Sequence, residues 1–241
     1  MSHTLLIVRR EMGAYLRTPS GWIIAASILL IDGLLFNTRA VGSTPQYSSE
    51  VLEQFLIDAG GTTMLAAVLF SMRLLAEERA QGTETLLFTS PIREGEIVLG
   101  KFLASLLFLT VLTLLTLYLP ALIFVNGKVS FGHIGAGYLG MFLLGAATLS
   151  IGVFASSLVR NPFLAVILAA VFVTTLELCW WIAQITDPPL QPIIGYMSPY
   201  MKHFHPFRRG LVQLSDVVFH LSIVYFGLLA ATRVLKSQRW R

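Results

Sequence analysis

The sequence predicts an all-α integral membrane protein of six transmembrane helices. Two observations carry that reading. The chain of 241 residues is 55% hydrophobic and only 12% charged, where soluble domains carry about 25% charged residues, and its mean hydropathy is +0.74. The apolar residues also fall into long runs of membrane-crossing length, separated by short polar breaks. A third observation sets the orientation. The segments between spans divide the Lys and Arg residues twelve to five, and the richer set includes both chain ends. Basic residues favour the cytoplasmic side, so both termini are expected there.

The elements follow in order. Leu5, Val8, Met12 and Leu16 recur at helical spacing with Arg9, Arg10 and Arg17 around them, the pattern of an N-terminal interfacial helix. An ordinary positive flank of the first span is the alternative. Residues 1–17 lack the uninterrupted apolar core of a signal peptide. Spans are expected at about 22–38, 56–72, 97–125, 134–158, 163–185 and 217–235, forming one domain over 1–241 with no nucleotide-binding domain. A polar outer segment, 39–58, is expected between the first two spans. Arg160-Asn161-Pro162 is expected to turn tightly between the fourth and fifth. From Asp187 to Ser215 five prolines interrupt a segment rich in Leu, Ile, Tyr, Met and Phe. Proline breaks helices, which predicts short re-entrant helices between spans five and six; an aromatic loop on the outer interface is the other reading.

Between spans two and three, residues 73–101 hold nine of the thirty charged side chains. The apolar second span continues into Glu77, Glu78 and Arg79, and Gly82 then weakens the helix. Thr83 is a capping residue and Glu84 follows it, while Ser90-Pro91 signals a new helix start. The spacing predicts a short amphipathic connector, bent at both ends, that passes a push to both spans. A plain hairpin loop with solvated charges is the alternative.

Other candidates are fewer. Asp32 and Glu177 fall inside spans, where a charge costs at least about 2.5 kcal/mol; a polar translocation path, proton coupling or a paired acid would each explain them. His203 and His205 lack the companions of a metal set, so packing is expected and no metal site. The single Cys179 excludes an internal disulfide. Residues 95–102, GEIVLGKF, approach the phosphate-loop pattern, but Phe102 stands where a hydroxyl should bind Mg²⁺. No nucleophile, base and orienter occur together, so no catalytic site is expected.

The run AEERAQGTETLLFTSPIREGEIVLGKF resembles the signature of type-2 ABC-transporter permeases, in the branch associated with gliding motility. YLGMFLLGAATLSIGVFASSLVRN is similar to the fourth span of that family and its following turn. MSPYMKHFHPFRRGLVQLSD and TRVLKSQRW resemble its end. The resemblance implies a membrane subunit of an ATP-driven exporter or force-transmitting complex in the bacterial inner membrane. It implies a cytoplasmic coupling helix between spans two and three, with Glu77, Glu78, Arg79, Gly82, Thr83 and Glu84 as its ATPase contact. ATP and Mg would sit on the partner: two ABC ATPase copies, beneath a dimer with a second or related permease, and no nucleic acid. The alternative is an ion-coupled secondary transporter using Asp32 and Glu177.

Overall fold

Thr18 and Pro19 make the first corner of the chain. Helix α1 (His3–Arg17) ends where Thr18 turns extended, and Pro19 opens α2 (Pro19–Leu35) at its first position, where a missing N–H costs nothing. The Thr18 hydroxyl donates back to the Ala14 carbonyl at 2.9 Å, tying the corner to α1. The computed structural model describes residues 3–42, 47–82 and 93–239. It is 85% helix, without strands among those residues.

A π-helical stretch, Phe36–Val41, extends α2. Then come α3 (Ser48–Ser71), the short α4 (Ala76–Ala80), α5 (Glu94–Leu115), α6 (Tyr118–Asn126), α7 (Phe131–Leu158) and α8 (Pro162–Gln184). Two short helices, α9 (Leu190–Gly195) and α10 (His205–Arg208), flank a π-helical turn at Pro199–Phe204, and α11 (Leu214–Arg239) closes the order. Six segments are long and apolar enough to cross a membrane: Gly21–Val41, Ser48–Ala80, Glu94–Val125, Phe131–Leu158, Pro162–Gln184 and Leu214–Gln238. The chain is a multi-pass membrane protein.

Two boundaries differ from expectation. The second long helix begins at Ser48 rather than at about 56, and the π-helical stretch carries the first to Val41, so both helices reach into the expected polar segment 39–58. Polarity concealed that helix, because Glu50 accepts from the Tyr47 N–H at 3.2 Å and so caps it. The third span is interrupted at Thr116 and Leu117. Pro120 has no N–H to return to the Thr116 carbonyl, which accounts for the break. The Asn161-Pro162 turn is as expected, with the Asn161 side chain accepting from the Phe163 N–H at 2.8 Å.

Helix α7 is the central post. Its apolar window is 83% buried, against 17% for α8 and α11, so those two turn most of their surface outward. Small residues let neighbours approach α7 closely. At Gly140 a Cβ would lie 2.5 Å from Cβ of Phe207 and 2.9 Å from the Phe204 ring, so only glycine fits beneath those two aromatics. Phe204 and Phe207, both fully buried, thereby dock the proline-rich segment onto the bundle.

Candidate functional site

Helix α4 is built by bonds that come mostly from elsewhere in the chain. After Ser71 the backbone tightens, with Leu74 N–H reaching the Ser71 carbonyl at 3.3 Å. The N–H groups of Leu75 and Ala76 then find no partner in their own helix. The fully buried Ser156 of α7 accepts both, at 3.0 and 2.9 Å, and so caps α4 from across the bundle. At the other end Gly82 adopts φ +70°, a left-handed conformation that glycine takes without strain. The predicted bend at Gly82 is therefore present in the backbone.

The three charged residues of α4 reach three different places. Glu77 pairs with Arg73 at 3.2 Å. Arg73 in turn donates to the Thr18 hydroxyl at 2.6 Å and lies over the Tyr15 ring at 5.3 Å. Glu78 meets Lys101 of α5 at 3.1 Å and Arg10 of α1 at 2.7 Å. Arg79 donates to the Ser157 carbonyl at 2.7 Å and to Gln238, which joins the ends of α7 and α11. The connector is thus tied to the α1–α2 corner, to α1 and α5, and to α7 and α11. Ala80, Gln81 and Gly82 stay exposed at its tip. Thr83 and Glu84, also expected in this site, and the Ser90-Pro91 start lie outside the described residues.

Sequence reading missed Arg10, Glu11 and Lys101 as members of this group. Glu11 accepts from Arg10 at 2.6 Å and from Lys101 at 3.3 Å. Burial alone would push its carboxyl up, but Lys101 and Arg10 outweigh that and hold it below its ordinary value. Burial likewise opposes the charge of Arg10, yet Glu11 and Glu78 leave it raised. The available signal was Lys101 itself, a lone cation within the third apolar run.

Asp32 and Glu177 are not brought together. Asp32 is 4% exposed and accepts from the Thr62 hydroxyl at 2.6 Å. It borders a small, mostly apolar space lined by Ile28, Ala66, Leu109, Leu112 and Met141 together with Thr63, Thr113 and Thr116, whose three hydroxyls donate to backbone carbonyls. Glu177 faces the proline-rich segment instead. It accepts from the Ser198 hydroxyl at 2.5 Å and from the N–H groups of Tyr200 and Met201 at 2.9 and 3.4 Å. Those are the donors that open the Pro199–Phe204 turn, so this carboxylate acts as a cap on them. His203, fully buried, contacts Asp216 at 2.7 Å through Nδ1 and the Tyr196 carbonyl at 2.9 Å through Nε2. Nδ1 thus ties the segment to α11, and Nε2 ties two parts of the segment together.

No curated protein matches this chain. The family model described as ABC-2 family transporter protein matches residues 5–222, nearly the whole bundle including α1, the α4 connector and the proline-rich segment. The chain belongs to that family of transport permeases, as the membrane subunit of an ABC transporter.

Proposed function

We propose that this chain converts hydrolysis by a separate ABC ATPase into movement of its own helices, as half of an exporter or force-transmitting complex. The observation that carries the reading is α4. A five-residue helix with exposed residues at its end is bonded to α1, α5, α7 and α11, and through the Glu77–Arg73 pair to the Thr18 corner ahead of α2. Force applied at Ala80–Gly82 reaches those helices through hydrogen bonds and ion pairs.

In this reading the chain lies in a bacterial inner membrane with both termini in the cytoplasm, and α4 is the coupling helix. Helix α1 lies along the cytoplasmic interface, and α9 with α10 re-enters from the outer side. Two ATPase copies bind ATP and Mg and act on a dimer of permeases; the resemblance at 76–102 supports the gliding-motility-associated branch. An ion-coupled secondary transporter is less well supported, because Glu177 already satisfies three donors of the Pro199 turn.

The test is a cross-link. In a Cys179→Ser background, Gln81→Cys carries a thiol-to-amine cross-linker in the complex purified from its native membrane. Joining to an ATP-binding subunit, identified by mass spectrometry, is the expected result. No adduct from Gln81→Cys, or equal adduct from Phe131→Cys at the opposite end, overturns the reading.

A further inference from the structure

Lys101 lies eight residues into α5 and is 1% exposed. An ammonium group taken out of water costs several kcal/mol unless it is well paired, so its surroundings matter. Oε1 of Glu11 stands 3.3 Å from Nζ, and Oε1 of Glu78 stands 3.1 Å away. Arg10 reaches the same two oxygens at 2.6 and 2.7 Å. Two cations and two anions therefore alternate among α1, α4 and α5, elements separated by 68 and 90 positions in sequence.

The group is not a surface decoration. Arg10 is 57% exposed, but the side chains of Glu11, Glu78 and Lys101 are 15%, 14% and 2% exposed. Apolar packing continues the joint along α1. Ile7 rests on Gly100, the Tyr15 hydroxyl is 2.8 Å from that of Ser105, and the Tyr15 ring stacks on Phe108. Glu78 is thus turned away from the exposed tip of α4 and into the chain's own interior.

We propose that Lys101 is a positioning residue for the connector: its ammonium fastens α1, α4 and α5 into one body, so that α1 travels with the connector. Glu78 then belongs to this internal strap, and the ATPase contact falls to the tip at Ala80–Gly82. What moves the body rests on the coupling reading above; the fastening does not. Lys101, 1% exposed, acts through Glu11 and Glu78. A strap of this kind makes the orientation of α1 depend on a charge in α5.

The experiment reads that dependence directly. The full chain, with Cys179→Ser and spin labels at Leu6→Cys and Gln81→Cys, is placed in lipid nanodiscs for pulsed EPR. The parent should give one narrow distance distribution. Lys101→Met takes the buried cation away from both carboxylates, and the distribution should broaden and shift to longer distance while helix content holds. Glu11→Gln/Glu78→Gln/Lys101→Met removes the stranded charges, and a narrower distribution should return. An unchanged distribution in Lys101→Met, or a triple variant no narrower than the single, overturns the proposal. Should Lys101→Met fail to fold, Glu11→Gln takes its place: partial broadening is expected, and none is contrary. The Gln81→Cys cross-link is measured in the same variants. Its loss in the parent chain would defeat the coupling reading while the distances still decide the strap.

Discussion

The two ends of the bundle hold their short elements by different means. At the α4 end, the connector and α1 are joined to the spans by long charged side chains that converge from distant segments. At the opposite end, the proline-rich segment is held by Phe204 and Phe207 seated over Gly140, by the cap from Glu177 and by the His203–Asp216 contact. Aromatic packing over a glycine is short-ranged, and it fails once surfaces part by about an ångström. An ion pair weakens more gradually with distance. One end therefore reads as a fixed anchor and the other as a set of links that tolerate displacement.

The largest expected effect breaks the links. Lys101→Met removes the buried cation that Glu11 and Glu78 share, and removing one partner of a buried pair costs about 3–5 kcal/mol. Thermal unfolding in detergent should show that loss, with much of it recovered in the neutral triple variant, because fully replaced buried pairs are often near neutral. Equal stability of single and triple variants would mean that packing, not charge, joins α1 to α4.

The anchor should fail next. Gly140→Ala places a Cβ 2.5 Å from that of Phe207, and overpacking of this kind costs about 1–3 kcal/mol. Gly135→Ala, in the same helix with nothing within 4 Å of its new Cβ, should be neutral or stabilising by up to ~1 kcal/mol. If both behave alike, the close approach at Gly140 is not what docks the segment.

How legible these ends were differs for a physical reason. The six apolar runs, the left-handed Gly82 and the Asn161-Pro162 turn rest on local signals and were legible, although the second helix begins at Ser48, earlier than expected, and the third breaks at Thr116 and Leu117. The broken helices at 190–208 followed from five prolines. The strap was hidden because its members read locally as something else: Arg10 as a membrane flank, Lys101 as a topology charge, Glu78 as a solvated docking residue. Only tertiary structure brings positions 10, 11, 78 and 101 together. Ser156 was likewise hidden, since a serine in an apolar helix gives no sign that it caps another.

Acid sharpens the contrast between ends. Burial pushes the Glu11 carboxyl up, but Lys101 and Arg10 hold it below its ordinary value of 4.5. A carboxylate lowered on folding contributes stability that is complete above 4.5 and is lost as pH falls through its folded value. Parent and Glu11→Gln should therefore differ in unfolding temperature at neutral pH and converge as pH drops below 4.5. A difference that persists unchanged into that acid range would place the contribution of Glu11 in packing rather than charge.

The smallest effect belongs to a short charged link at the far end. Arg39 reaches Asp58 at 2.6 Å, joining the π-helical end of the first span to α3, much as Arg10 joins α1 to α4. The likeness extends to exposure, since Arg10 is 57% exposed, and stops at the second donor, a neutral amide here and the buried Lys101 ammonium there. Arg39 is 58% exposed, and Asp58 is also bonded by Gln54 at 3.1 Å. Water screens such a cation, and pairs of this kind are worth about 0–1 kcal/mol. Losing Arg39 also leaves Asp58 with a donor, so no bare buried carboxylate remains. Arg39→Gln should accordingly shift the unfolding temperature little, while Arg39→Gln/Gln54→Leu should cost more than the sum of its single changes, because only the double variant strands Asp58. Strict additivity in that cycle would show that Gln54 is not the second support, and that this end, too, depends on its ion pair.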